Sequence, residues 1–161
     1  MDPSTPGEVV RAVAVGVSRL VAGGLDQRAR DAQLDELAAL YAEQTDVRHP
    51  FAPLGDTPLR TRAELRRHFE MGPARTEGAE RFEPEGMLVH DTADPEVVVV
   101  EFSYVGSAGG RPFTLPCIFV VRVRNGEIVE SRDYGNHVAL ARAFGRLEEL
   151  AGQLVATGSS R

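Results

Sequence analysis

The amino-acid sequence predicts an α+β domain whose N-terminal helices cover one face of a curved antiparallel sheet. Stretches with helical apolar spacing come first and about four strand-like stretches follow. The tetrapeptide "RNGE" at residues 124–127 joins the last two strands with an Asn-Gly hairpin signal. Helices followed by a run of strands is the α+β order, and nothing else in the chain is available to bury the sheet's apolar side.

A first helix is expected over residues 7–21, where Val9, Val10, Val13, Val17, Leu20 and Val21 recur at helical spacing before Gly23-Gly24 stops it. A second is expected over residues 31–43, with Leu34, Leu37, Ala38 and Tyr41 on one face. The three prolines of "TDVRHPFAPLGDTPLR" then leave only a short extended piece at residues 47–51. "TRAELRRHFE" opens on Thr61 with Glu64 three residues later, a capping box, and is expected to end at Gly72-Pro73.

Strands are expected at residues 82–90, 96–105, 111–124 and 127–134. In the third, Arg122 and Arg124 take the wet side, so Val123, Val121, Phe119, Cys117, Leu115 and Phe113 line the dry one. In the second the parity is open: Glu101 and Ser103 share one face, Phe102 and Tyr104 the other. A last amphipathic helix is expected over residues 137–155, with Leu140, Ala143, Phe144, Leu147, Leu150 and Leu154 on its stripe. The expected organisation is one domain over residues 1–161, with a core at about 7–136, the added helix at 137–155 and flexible tails at 1–6 and 156–161.

A formal charge of -6 sets the chain against nucleic acid or an anionic membrane as partner. All eighteen basic residues are arginine, which excludes a lysine Schiff base, a pyridoxal phosphate lysine and a P-loop. Cys117 is single and forms no internal disulfide, the start carries no signal-peptide pattern, and no apolar run approaches the roughly twenty residues of a membrane span; a cytoplasmic location is expected. His49, His68, His90 and His137 show no metal-ligand spacing, so neither metal nor cofactor is expected.

The chemistry-bearing candidate is Asp133. Alternation along "GEIVESRDYG" puts Glu130 and Arg132 on the wet side and Val129, Ser131 and Asp133 on the dry one. A structural acid would cap the next helix or pair with an arginine. A carboxylate facing an apolar pocket has its pKa raised, which suits proton transfer near neutrality. His68, three residues after Leu65, lies beside the buried stripe of its helix, and His49 shares a strand face with Val47 before Pro50. Either imidazole is a candidate proton donor or acceptor. Glu101, if inward, would be a second acid. Cys117 reads as a small apolar filler, and His90 and His137 as surface groups.

The stretches "LDELAALYAEQTDVRHPFAP", "LRTRAELRRHFE" and "VRVRNGEIVESRDYGNHVALARA", in this order and spacing over about residues 31–143, resemble the nuclear transport factor 2 superfold and its SnoaL-like branch of cone-shaped α+β barrels. The ketosteroid isomerase pattern departs here: its Asp-Pro becomes His49-Pro50, and the inward position near its oxyanion aspartic acid is Cys117. The phenazine-biosynthesis PhzA/PhzB branch is the nearer match, since its helix histidine maps onto His68 and its last-strand glutamate onto Asp133.

The resemblance implies a cofactor-independent cyclase, isomerase or dehydratase of secondary metabolism acting on a hydrophobic polyketide-like or aromatic carbonyl compound. Asp133, His68 and His49 would be catalytic, with Tyr41, Phe51, Glu101, Tyr104, Phe113, Cys117 and Phe119 around the ligand. Epoxide opening and a non-catalytic carrier of a hydrophobic small molecule are the alternatives, together with a homodimer through the sheet. A carrier needs no carboxyl group titrating near neutrality, which separates it from the enzyme.

Overall fold

The computed structural model describes residues 5–158. Five helices and six strands follow one another as α1 (Pro6–Ala22), α2 (Gln27–Ala39), β1 (Tyr41–Arg48), β2 (Leu59–Thr61), α3 (Arg62–Arg75), β3 (Ala79–Asp91), β4 (Val97–Ala108), β5 (Arg111–Arg124), β6 (Glu127–Gly135), α4 (His137–Ala143) and α5 (Leu147–Gly158). Thr5, Pro6 and residues 156–158, expected in flexible tails, instead belong to helix elements, Thr5 capping α1, Pro6 opening it and residues 156–158 continuing α5; the rest of the expected tails, residues 1–4 and 159–161, lies outside the described residues.

The strands form one curved, unclosed sheet in the order β2-β1-β6-β5-β4-β3. Every neighbouring pair is antiparallel except β1 and β6, which run parallel and correct the expectation of a purely antiparallel sheet. The hairpin at Asn125-Gly126 turns with φ of 54° and 79°, the left-handed pair that this turn requires. Val9, Val10, Val13 and Leu20 of α1 cover the sheet in one core with Val100, Val121 and Ile128, and Leu34 and Leu37 of α2 back that helix, each at most 4% exposed. Burying such side chains stabilises the fold by about 1.5–3 kcal/mol apiece and fixes which sheet face is dry.

Several boundaries differ from the sequence reading. The second helix starts four residues early, because the Asp26 side chain accepts from Ala29 N–H at 2.8 Å and caps it. It also ends earlier, and Tyr41 opens β1, where it pairs with Ile128 of β6. β1 thus replaces the short piece at 47–51, and β2 was not anticipated, since three residues are too few to show a strand pattern. α3 runs through Gly72-Pro73 to Arg75, since proline in the last turn removes only one intrahelical donor and Thr76 N–H still reaches Pro73 O at 3.2 Å. The single C-terminal helix is two, broken at Gly145 with φ 67°, and neither α4 nor α5 has a buried residue.

Candidate active site

Between the concave sheet face and helices α1, α3 and α4 lies a cavity of about 220 Å³. Val13, Val17 and Leu20 form its helical wall, and Leu115, Cys117 and Phe119 of β5 its floor. Asp133 is the one acidic side chain that lines it.

A bulge aims that acid inward. Val123 pairs with Ile128 and the next pair is Arg122 with Glu130, so Val129 is the extra residue of β6. Ile128 is 2% exposed and faces the core; simple alternation from it would turn Glu130 and Arg132 inward. The extra residue shifts the parity, and Ser131 and Asp133 face in, opposite Val121 and Phe119. The expected dry residue Val129 is thus the bulged one, with Ile128 in its place.

The parallel neighbour supplies the imidazole. Val47 of β1 stands opposite Ser131, so His49, two residues on, falls beside Asp133. Its Nε2 is 3.8 Å from Asp133 Oδ2, with the two side chains 20% and 14% exposed. The chain turns immediately afterwards: His49 N–H donates to Asp56 Oδ1 at 2.8 Å and His49 O accepts from Ala52 N–H at 2.9 Å. His68 of α3 stacks over His49 with ring centroids 5.1 Å apart. Tyr41 and Tyr104 complete the polar set, held by Phe69 and Phe102 at 5.8 and 5.1 Å.

Burial governs the charges. Withdrawal from water raises the Asp133 pKa to about 7, against the hydrogen bond from the Ser131 hydroxyl and the nearby Arg132 charge, which pull it down. The same cause lowers His68 to about 4, helped by the charges of His49, Arg75 and His137. His49 is lowered by burial and by His137 and Arg75, with Asp56 opposing, and His137 by burial and Arg75. Near neutral pH burial therefore favours a neutral imidazole at His49 beside a carboxyl that keeps part of its proton, rather than an ion pair. Burial and then the Asp133 charge push Cys117 up to about 12, which removes it as a nucleophile.

Four placements correct the sequence reading. Glu101 points outward, 51% exposed and 2.8 Å from His90, because Phe102 and Tyr104 take the inward parity of β4. Phe51 is 67% exposed and rests edge-on against Tyr134; it follows the turn at His49, so strand alternation no longer applies to it. Phe113 lies beyond the cavity, between Phe82 and Phe144 at 5.9 and 5.4 Å. His137, read as a surface group, lines the cavity. Its signal was in the sequence, since Ser131, Asp133, Gly135 and His137 continue one two-residue alternation past the end of β6. Arg75 lines the cavity too and carried no such signal. Among the described residues no group of three or more His, Cys, Asp or Glu is placed to hold a metal ion.

An open, helix-covered α+β sheet of this topology is the nuclear transport factor 2-like architecture. Residues 20–131 match the SnoaL-like domain, and the chain belongs to that family. The match stops short of Asp133, so the family pattern does not itself select the acid.

Solved structures agree on the fold. A protein from Bacillus subtilis provisionally described as an isomerase superposes with a TM-score of 0.68 at 22% identity, over 86% of this chain and 91% of the other. A phenazine biosynthesis-related protein of Pseudomonas aeruginosa does so with a TM-score of 0.55 at 18% identity, over 86% and 84%. SalBIII, an epoxide hydrolase/cyclase-like enzyme in pyran ring formation of the polyether salinomycin, gives 0.56 at 15% identity, over 83% and 92%. No curated protein sequence matches the chain.

Proposed function

We propose that the protein is a cofactor-independent acid/base enzyme of secondary metabolism that moves a proton on a hydrophobic polyketide-like or aromatic carbonyl compound. One observation carries this reading: Asp133, the one acid among the described residues lining the cavity, is withdrawn from water beside two imidazoles, and burial raises its pKa to about 7, where a carboxyl both takes up and releases a proton. Ionised Asp133 removes a proton from the carbon beside the carbonyl. The developing oxyanion is stabilised by hydrogen bonds from a neutral imidazole, His49 or His68, and from the Tyr41 and Tyr104 hydroxyls. Burial raises both phenols well above their usual pKa, so they stay protonated donors. Protonated Asp133 then returns the proton at a second carbon or to a leaving oxygen, giving isomerisation, ring closure or dehydration. Because burial keeps part of the carboxyl protonated near neutrality, acid-assisted opening of an epoxide is the second reading.

Hydrogen–deuterium exchange at the activated methylene of 2-tetralone, followed by NMR in D2O, tests the proton abstraction without knowledge of the natural substrate. The reading requires exchange above the buffer rate that disappears in Asp133→Asn; a carrier would bind the ketone without exchanging it. We further propose a cytoplasmic homodimer seated on the outer sheet face, where Phe51, Leu88 and Ile118 are exposed. A solution mass near 17.5 kDa, that of one chain, would exclude the dimer. No described helix is long and apolar enough to cross a membrane.

A further inference from the structure

Two residues at the cavity's edge have no role in the proton transfer just described. His137 Nε2 is the one buried side-chain nitrogen or oxygen among the described residues that lacks a hydrogen-bond partner. Leaving a buried polar atom unpaired is costly, and such an atom persists where a ligand satisfies it. Arg75 is the one arginine that lines the cavity; it is exposed and has no carboxylate partner among the described residues. Both residues, with Leu140, also line a cleft that continues outward between α4 and α5 beside Pro53. The cavity therefore reaches solvent past Arg75 and His137.

The geometry points to an anion-binding subsite formed by Arg75 and His137, which selects substrates whose hydrophobic skeleton ends in a carboxylate. The inference deepens the proposed function and rests on it for the hydrophobic ligand. Charge complementarity supports it. The cavity carries one acid, Asp133 on the floor, and one cation, Arg75 at the rim, and the Arg75 charge reaches His49, His68 and His137 alike. A carboxylate at the rim meets the guanidinium in its fork geometry and accepts from the His137 Nε2–H tautomer. The opposite end of the ligand then lies toward Asp133, which keeps the ligand's charge away from the acid that must ionise. Arg75 also stands in the last turn of α3, where a cation complements the helix dipole. That role alone leaves His137 Nε2 without a partner.

The test uses the full chain and two uncharged-versus-charged isosteres, 2-naphthamide and 2-naphthoate, titrated by calorimetry at about pH 7.5 and low salt. The expected result is a preference for naphthoate of about tenfold or more, the scale of one charge-assisted contact at a partly buried site. Arg75→Gln should reduce that preference to within about twofold while naphthamide affinity stays near the wild-type value. His137→Phe should reduce it several-fold. Equal binding of both probes by the wild type, or an undiminished preference in Arg75→Gln, overturns the anion subsite alone. Failure of both probes to bind overturns it together with the hydrophobic-ligand reading on which it rests.

Discussion

His49 Nε2 lies 3.8 Å from Asp133 Oδ2, longer than a hydrogen bond and short enough that a modest closure on substrate would make one. Two residues 84 positions apart meet because β1 and β6 run parallel with Val47 opposite Ser131. Neither belongs to a charged pair at neutrality, and that is the property proton transfer requires of them.

Replacing the acid removes the base and leaves its volume. Asp133→Asn should lower the deuterium-exchange rate of 2-tetralone by about 100-fold to 10,000-fold, the range for one positioned base. Its far-ultraviolet circular dichroism should match the wild type. Exchange at the wild-type rate would remove Asp133 from the mechanism.

The same substitution should stabilise the protein at alkaline pH. The folded state holds the Asp133 proton more tightly than the unfolded chain, its pKa rising from 3.8 to about 7. The stability this confers is complete below pH about 4 and is lost as pH climbs through about 7. At pH 8 the ionised buried carboxylate costs on the order of 4 kcal/mol, which asparagine does not incur. Denaturant unfolding should therefore show Asp133→Asn gaining stability at pH 8 and little at pH 4. Equal effects at both would contradict the raised pKa.

The pH–rate profile of exchange should be one ascending limb with its midpoint near 7, following ionisation of Asp133. Burial lowers His68 to about 4 and also lowers His49, so no imidazolium is present to be lost above neutrality. A descending limb between pH 6 and 8 would show a protonated histidine at work.

Thr61 sets where α3 begins and so where His68 sits. Its hydroxyl accepts from Glu64 N–H at 3.2 Å while Glu64 Oε2 accepts from Thr61 N–H at 3.1 Å. Thr61→Ala should cost about 1 kcal/mol and lower Tm by about 2–4 °C in a chain of this size. Calorimetry checks it, and an unchanged Tm would mean that the cap contributes nothing.

Local signals were legible in the sequence, and long-range ones were not. The capping box at Thr61, the Asn125-Gly126 hairpin and the apolar stripe of α1 each rest on contacts within a few residues, and each stands where expected. β1 was hidden because its buried side chains are Tyr41, Thr45 and Val47, a weak alternation whose partner is a distant parallel strand. Asp133 was found inward although the alternation counted from Val129 ignored the bulge; Ser131 and Asp133 keep the parity on the far side of it. Arg75 and His137 meet only because the end of α3 and the start of α4 border one cavity, and nothing in either segment alone announces that.

Most directly, the titration of Asp133 itself tests the account. Side-chain carboxyl carbon shifts followed by NMR against pH, with Asp133→Asn supplying the assignment, should give a midpoint at about 7. A midpoint near the ordinary carboxylate value of 3.8 would leave the group fully ionised and shuttle-incompetent at neutrality, and the proposed chemistry would fail.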